Sequence, residues 1–146
     1  MPKFNIFLDS SALIAGIIST RGAAHVLLEL GEQEEIVLTI SEMVVTESER
    51  SIAKKSPGNL NALREAMKAA NLNIVQDPPA EEKAANLYLM SDPDDVPILL
   101  AAMKAKVDYL ATHNRKHFLD DPKVAEKSGL EIGTPGDALA WLRERL

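Results

Sequence analysis

Short apolar runs alternate with segments of helical periodicity along most of the chain. The runs 4–8, 36–40 and 107–112 are dense in large apolar residues and predict strands, with shorter candidates at 73–75 and 130–132. Between them, apolar residues recur three and four positions apart, which predicts helices. Strands that alternate with helices indicate a mainly parallel sheet with helices on its faces. The expected fold class is therefore a three-layer α/β/α sandwich.

Recognisable start and stop signals bound the predicted helices. Ser10 or Ser11 is expected to cap the first helix, Ser41 the helix that follows the second strand, and Thr134 the C-terminal helix. Gly31 is expected to end the second helix. The other helices are expected over 60–70, 81–90 and 96–106. No linker or internal repeat interrupts this order.

The length of 146 residues favours a single domain spanning 1–146. The absence of cysteine excludes disulfides and thiolate zinc sites. No apolar run approaches the roughly 18–20 residues of a membrane span, and the first residues lack the apolar region of a signal peptide. A cytoplasmic protein that does not associate with membranes is expected.

The charge balance limits how this protein can bind nucleic acid. The net charge is −6, from 22 acidic and 16 basic residues, which argues against nucleic-acid binding over the whole surface. Aromatic residues make up only 4%, too few for a base-stacking platform. A nuclease remains compatible, because a bound metal ion supplies local positive charge. An acidic protein of this kind also suits a basic partner segment.

Four polar side chains follow or flank the predicted strands. Asp9 and Asn114 come directly after apolar runs, Glu47 lies on the helix after Ser41, and Asp95 opens the helix over 96–106. The carboxyl ends of parallel strands lie on one edge of a sheet, so these groups are expected to converge there. A cluster of carboxylates without cysteine favours Mg²⁺ or Mn²⁺.

Each of these residues also has an ordinary structural explanation. Asp9 and Asp95 are common helix caps, an acid such as Glu47 on a helix is usually solvated, and Asn114 suits the cap of a short helix over 115–118. The spare serines after Asp9, and three aspartates in 92–95, exceed what capping requires. The first observation favours a functional role for Asp9, whereas for Asp95, taken alone, capping and a metal role remain equally open.

Three further readings of the sequence are disfavoured. A zinc site at His113 and His117 lacks the additional ligands of a metalloprotease, so 115–117 is interpreted as a small basic rim able to contact phosphate. The chain has no phosphate-binding glycine loop and no G-x-S-x-G nucleophile elbow. A nucleotide-binding protein and a serine hydrolase are therefore not expected.

The segments 7–14, 41–47, 92–102 and 108–114 together resemble the PIN-domain nucleases. The resemblance extends from about residue 4 to 141, and it depends on the four motifs occurring in this order with these gaps. Many small PIN proteins are VapC-like toxins of toxin–antitoxin pairs. The single-domain length of this chain is similar to theirs.

The resemblance implies a Mg²⁺- or Mn²⁺-dependent ribonuclease that acts on RNA. Asp9 and Asp95 would be the principal metal ligands, and Glu47 would ligate metal directly, ligate it through water, or orient the attacking water. Thr112 and Ser10 would support the site. The resemblance also implies an antitoxin partner and a candidate homodimer. The apolar residues of the helix over 60–70 could form a dimer interface, although packing in the protein core is the favoured interpretation.

Asn114 departs from the family pattern, which often has Asp at this position. The amide lacks one negative charge, so one metal ion is expected to bind well and a second only with RNA present. The acids that could compensate are Asp92, Asp94, Asp120 and Asp121. One alternative is a non-catalytic PIN-fold module that binds RNA or protein and has lost turnover through Asn114. Another is a phosphatase-like hydrolase, which is disfavoured because Ser11 stands where that class needs a second Asp.

Overall fold

A computed structural model describes residues 2–146, and its strands form one five-stranded sheet. The strands are β1 (Asn5–Leu8), β2 (Val37–Ser41), β3 (Asn73–Val75), β4 (Tyr109–Ala111) and β5 (Ile132–Gly133). Their order is β3-β2-β1-β4-β5, and every neighbouring pair is parallel. The predicted parallel sheet is confirmed.

Helices cover both faces of this sheet. They are α1 (Ser10–Ile18), α2 (Ala23–Glu32), α3 (Glu42–Lys55), α4 (Leu60–Ala69), α5 (Ala80–Ala85), α6 (Val96–Lys104), α7 (Pro122–Ser128) and α8 (Pro135–Arg143). Right-handed crossovers place α1 to α4 on one face and α5 to α7 on the other. The contacts of α1 with α2, α3 and α4, and of α8 with α2, agree with this arrangement. The predicted sandwich is confirmed.

The core lies between the sheet and these two helical layers. Large side chains of β1 and β2 are fully buried, among them Phe7, Leu8 and Ile40. Strands that are buried on both faces are continuously apolar, which explains the short apolar runs of the sequence. The α4 residue Leu63 is also fully buried, while Leu60 and Met67 pack against the core. Core packing of these α4 residues is therefore confirmed, while a dimer interface at α4 stays a prediction.

Two of the four predicted helix boundaries are confirmed. Ser41 caps α3, and its Oγ accepts from Val44 N at 3.3 Å. Thr134 caps α8 in a reciprocal arrangement with Asp137, whose N–H donates to Thr134 Oγ1 at 3.0 Å.

The expected cap of α1 is wrong. Asp9 caps this helix, and α1 begins at Ser10. The Asp9 Oδ1 accepts from Ala12 N at 3.0 Å, while the Ser11 hydroxyl turns back to donate to the same oxygen at 2.7 Å. Ser11 thus supports the carboxylate of Asp9 and does not replace it as the cap.

Gly31 does not end α2, which continues to Glu32. A Cβ at Gly31 would lie 2.7 Å from Leu38 Cδ1, so this glycine permits α2 to approach β2 closely. The glycine at this position is needed for close packing and does not mark the end of the helix.

No helix among residues 2–146 is by itself long and apolar enough to cross a membrane. Within these residues only α1 and α2 taken together have the required length and composition, and the two helices are bent by 90° relative to each other.

Candidate metal centre

The strand order reverses beside β1, the central strand of the sheet. From β1 the chain proceeds to β2 on one side and later returns to β4 on the other. Asp9 directly follows β1, and Thr112 directly follows β4. Open parallel sheets bind ligands in the crevice at such a reversal. The edge of the sheet predicted to hold the site therefore has suitable topology.

The carboxylate of Asp9 is buried and its orientation is fixed. Only 4% of the residue is exposed, its Oδ1 accepts from Ser11 Oγ and Ala12 N, and its Oδ2 accepts from Thr112 Oγ1. Burial raises the pKa of the Asp9 carboxyl, and the hydrogen bonds from Ser11 and Thr112 act in the opposite direction. The fold therefore holds a desolvated carboxylate at the crevice.

Thr112 joins the end of β4 to this carboxylate. Its side chain is fully buried, and besides donating to Asp9 its Oγ1 accepts from Asn114 N at 2.9 Å. The Ser11 hydroxyl accepts from His113 N at 2.9 Å. The loop after β4 is thereby hydrogen-bonded to the start of α1, which agrees with the supporting role expected for Thr112.

Glu47 projects from α3 toward the same crevice and is partly exposed. Its Oε1 accepts from Ser10 Oγ at 3.3 Å. Partial burial raises the pKa of the Glu47 carboxyl, and the negative charges of Asp95 and Asp9 raise it further, while the Ser10 hydrogen bond lowers it. Glu47 is therefore near both aspartates and is not an isolated surface acid.

Asp95 lies at the start of α6, with 19% of its side chain exposed. Burial raises the pKa of the Asp95 carboxyl. The charges of Asp92 and Asp9 add to this effect, and His117 opposes it. The Oδ2 of Asp95 is shielded from solvent and has no polar partner among the described residues other than His117 Nδ1, at 2.7 Å.

Asn114 caps the helical turn Arg115–Leu119, as one reading of the sequence proposed. Its Oδ1 accepts from His117 N at 3.1 Å. The amide oxygen that could replace a carboxylate ligand therefore also serves as the cap of this turn.

His117 does not belong to the basic rim that the sequence predicted. Its side chain is 25% exposed and faces Asp95 and Asp92, whereas the side chain of Arg115 is 71% exposed. The sequence prediction assigned all of 115–117 to the same exposed rim. The missed signal was Asn114, because a cap at this position fixes where the residue three positions later can point.

Among residues 2–146, one group of three potential metal ligands has all its ligand atoms within 4.8 Å of one another. It consists of Asp92, Asp95 and His117. Asp9 and Glu47 are not members of this group. The charge of Asp9 nevertheless raises the pKa of Asp95, and the charge of Asp95 raises the pKa of Glu47. Asp9, Glu47 and Asp95 are therefore near enough to affect pKa values in the set, but their ligand atoms are not gathered as closely as those of Asp92, Asp95 and His117.

The donor set suits a divalent cation that prefers oxygen. Three carboxyl groups have raised pKa values because they are desolvated, and those of Glu47 and Asp95 are also raised by neighbouring acids. A cation between them would offset this repulsion. Carboxylate oxygens with a single imidazole and no thiolate match Mg²⁺ or Mn²⁺ better than a structural zinc ion.

Comparisons with known proteins agree with the topology. A structure from Pyrobaculum aerophilum, PAE2754, is similar over 97% of this chain and 97% of its own, with 18% identity and a TM-score of 0.67. VapBC2 from Rickettsia felis, solved bound to a DNA fragment from its promoter, is similar over 90% of this chain and 98% of its own, with 19% identity and a TM-score of 0.64. These likenesses concern the fold.

A third similar structure is the VapC20 toxin of Mycobacterium tuberculosis, described as cleaving the sarcin–ricin loop. It is 15% identical over 76% of this chain and 91% of its own, with a TM-score of 0.53. A search of curated protein sequences finds no significant match. The family model described as PIN domain matches residues 5–116, which include every predicted site residue. This chain therefore belongs to the PIN domain family.

Proposed function

We propose that this protein is a divalent-metal-dependent RNA endonuclease that hydrolyses phosphodiester bonds as a single domain. The observation that supports it most is the grouping of Asp9, Glu47 and Asp95, whose charges act on one another at the strand-order reversal of a PIN fold. A crevice with several desolvated carboxylates is costly unless a cation binds there.

The residues of the crevice have separable roles in this proposal. Asp9 and Asp95 would hold Mg²⁺ or Mn²⁺, and Glu47, which is partly exposed, would assist as a ligand or accept a proton from the attacking water. When bound, the cation would offset charge on the scissile phosphate and lower the pKa of water. Thr112 keeps Asp9 in one orientation, and Ser10 does the same for Glu47.

The RNA strand would approach along a cleft beside Glu47. This cleft has a volume of about 410 Å³, and both Arg50 and Lys83 line it together with acidic side chains. Arg50 lies one helical turn after Glu47 on α3, so the two side chains are neighbours on the helix surface. Basic groups at this distance from the carboxylates suit the phosphates that flank a cleaved bond.

We propose further that the protein is the cytoplasmic toxin of a toxin–antitoxin pair. Its similarity to VapC20 and to the VapBC2 complex motivates this. A homodimer is also proposed, from the resemblance to the PIN family alone. An antitoxin would insert a basic segment among the carboxylates, since an arginine can pair with a carboxylate through two hydrogen bonds.

A cleavage assay with single-stranded and structured RNA tests the enzymatic proposal. Wild-type protein with Mn²⁺ should cut RNA, and a chelator should stop it. Asp9→Asn, Asp95→Asn and Glu47→Gln should each lower the rate by at least about 10²-fold, since each removes charge stabilisation worth several kcal/mol. Glu49→Gln on the same helix is the matched control and should leave the rate unchanged.

The alternative is a non-catalytic PIN module that binds RNA or protein. It is motivated by Asn114, which carries no negative charge and whose side-chain oxygen also caps a helical turn. RNA binding without cleavage, at saturating Mn²⁺ and Mg²⁺ and with each metal alone, would establish this alternative and refute the endonuclease.

A further inference from the structure

Three potential ligand atoms from two loops converge on the Asp95 side of the crevice. Asp92 and Asp95 lie on the loop before α6, and His117 lies on the turn after β4. The His117 Nδ1 is 2.7 Å from Asp95 Oδ2 and 3.6 Å from Asp92 Oδ2. Distances of this size are compatible with donor atoms that share one cation.

The positions of these side chains are fixed by their own loops. The Oδ1 of Asp92 accepts from Asp94 N at 2.9 Å, which leaves its Oδ2 toward His117. The Asn114 cap holds the backbone of His117, and the next residue, Phe118, is buried with 3% exposure. The cluster is therefore held in place by two caps and a core residue.

The nitrogen of His117 is directed at oxygen atoms rather than at solvent. Because Asn114 Oδ1 is used by the cap, its amide nitrogen is the atom that faces His117 Nδ1, at 3.5 Å. An N–H group beside Nδ1 favours a lone pair on that nitrogen. At 2.7 Å from Asp95 Oδ2, Nδ1 either donates a proton to that oxygen or, through its lone pair, shares a cation with it.

We propose that His117 is a nitrogen ligand of the divalent metal ion, together with Asp95 and Asp92. This inference rests on the proposed metal-dependent function and names the group that compensates for Asn114. The chain lacks an acid at residue 114, and a neutral imidazole three residues later supplies a donor from the same turn.

This ligand has a consequence for metal preference. Magnesium binds oxygen donors and gives up its water reluctantly, whereas imidazole suits transition metals. His117 therefore biases the site toward Mn²⁺ over Mg²⁺. Exchanging the imidazole for an amide should reduce Mn²⁺ affinity by about tenfold or more, and should reduce Mg²⁺ affinity less.

Pulsed electron paramagnetic resonance of the full chain with bound Mn²⁺ tests the ligand directly. Wild-type protein should show coupling to an imidazole nitrogen, and His117→Asn should lose it. His113→Asn is the matched control, because His113 lies on the same loop but outside the cluster, and it should retain the coupling. Circular dichroism of each variant confirms that the chain is folded.

Calorimetric titration of the same samples with Mn²⁺ and Mg²⁺ measures the preference. A ratio of Mn²⁺ to Mg²⁺ affinity that falls several-fold in His117→Asn, but not in His113→Asn, supports the proposal. Bound Mn²⁺ without nitrogen coupling in wild-type protein overturns it, and the 2.7 Å contact is then a hydrogen bond from Nδ1–H to Asp95.

RNA cleavage assayed in parallel separates the two proposals. Cleavage with Mn²⁺ but no nitrogen coupling refutes only the role of His117. If the protein shows neither Mn²⁺ binding nor cleavage, the metal-dependent endonuclease is refuted as well.

Discussion

The two halves of the crevice differ in how many hydrogen bonds the protein donates to the carboxylates that lie there. On the Asp9 side, hydroxyl groups of Ser11 and Thr112 and one main-chain N–H engage both carboxylate oxygens. On the Asp95 side, His117 is the one group in residues 2–146 within hydrogen-bonding distance of the shielded Oδ2, and Asp92 adds a second negative charge.

This difference separates positioning from binding. A carboxylate with several internal hydrogen bonds keeps one orientation whether or not a cation is present. A shielded carboxylate oxygen beside a like charge gains most when a cation arrives. We therefore expect the Asp9 side to contribute mainly geometry, and the Asp95 side to contribute most of the gain in stability on metal binding.

The largest loss of stability in the metal-free protein is expected from breaking the Asp9 side. Thr112→Val keeps the shape of the side chain but leaves Asp9 Oδ2 and Asn114 N–H without a partner. Unfolding free energy should fall by about 1–3 kcal/mol. The cleavage rate should fall about 10- to 100-fold, because a group that orients a ligand is lost.

Chemical denaturation and single-turnover kinetics measure the two effects of Thr112→Val. Thr112→Ser keeps the hydroxyl and should restore most of the rate. Equal losses of rate in both variants would contradict the hydrogen-bonding role and indicate a packing effect of the missing methyl group.

Removing the charge of Asp95 should stabilise the metal-free protein, which is the opposite of the effect of Thr112→Val. The pKa of the Asp95 carboxyl is raised in the folded chain, mainly by burial. Its contribution to stability is therefore present at pH below the ordinary value of 3.8 and is lost as the pH rises through the raised pKa. Chelator-treated Asp95→Asn should consequently have a higher Tm than wild type at pH 7, although it loses cleavage.

Thermal melts across pH, with and without Mn²⁺, test this expectation. A ligand at a hundred times its Kd adds about 2.7 kcal/mol, or roughly 5–10 °C in Tm for a domain of this size. Wild type should gain this increment and Asp95→Asn should gain little of it. A lower Tm for chelator-treated Asp95→Asn would show that Asp95 stabilises the fold without metal, which removes the contrast between the two halves.

The smallest effect is expected outside the carboxylates, along the cleft beside Glu47. Arg50→Gln should raise KM several-fold, leave kcat nearly unchanged, and reduce the slope of log affinity against log salt by about 0.7, as for one phosphate contact on a single strand. Lys55→Gln, on another side of the same helix, is the control. A large fall in kcat for Arg50→Gln would instead place this side chain at the reacting phosphate.

Much of the fold follows from local signals in the sequence. Both faces of β1 and β2 are covered, so their apolar runs were recognisable, and the caps at Ser41 and Thr134 depend on atoms within three residues. The prediction of a helix stop at Gly31 was wrong, because a glycine is needed there for the close contact with Leu38 on a neighbouring strand. No pattern within one helix contains that information.

The sequence by itself determined the alternation of strands and helices, the order of the acidic motifs and the chemistry those acids favour. Each of these depends on residue type and near neighbours. Only the tertiary structure decided that Thr112 holds Asp9 across 103 positions, and that His117 faces Asp95 and not solvent. Such contacts join loops that parallel strand pairing brings together, so their geometry depends on register and crossover direction, which no single segment specifies.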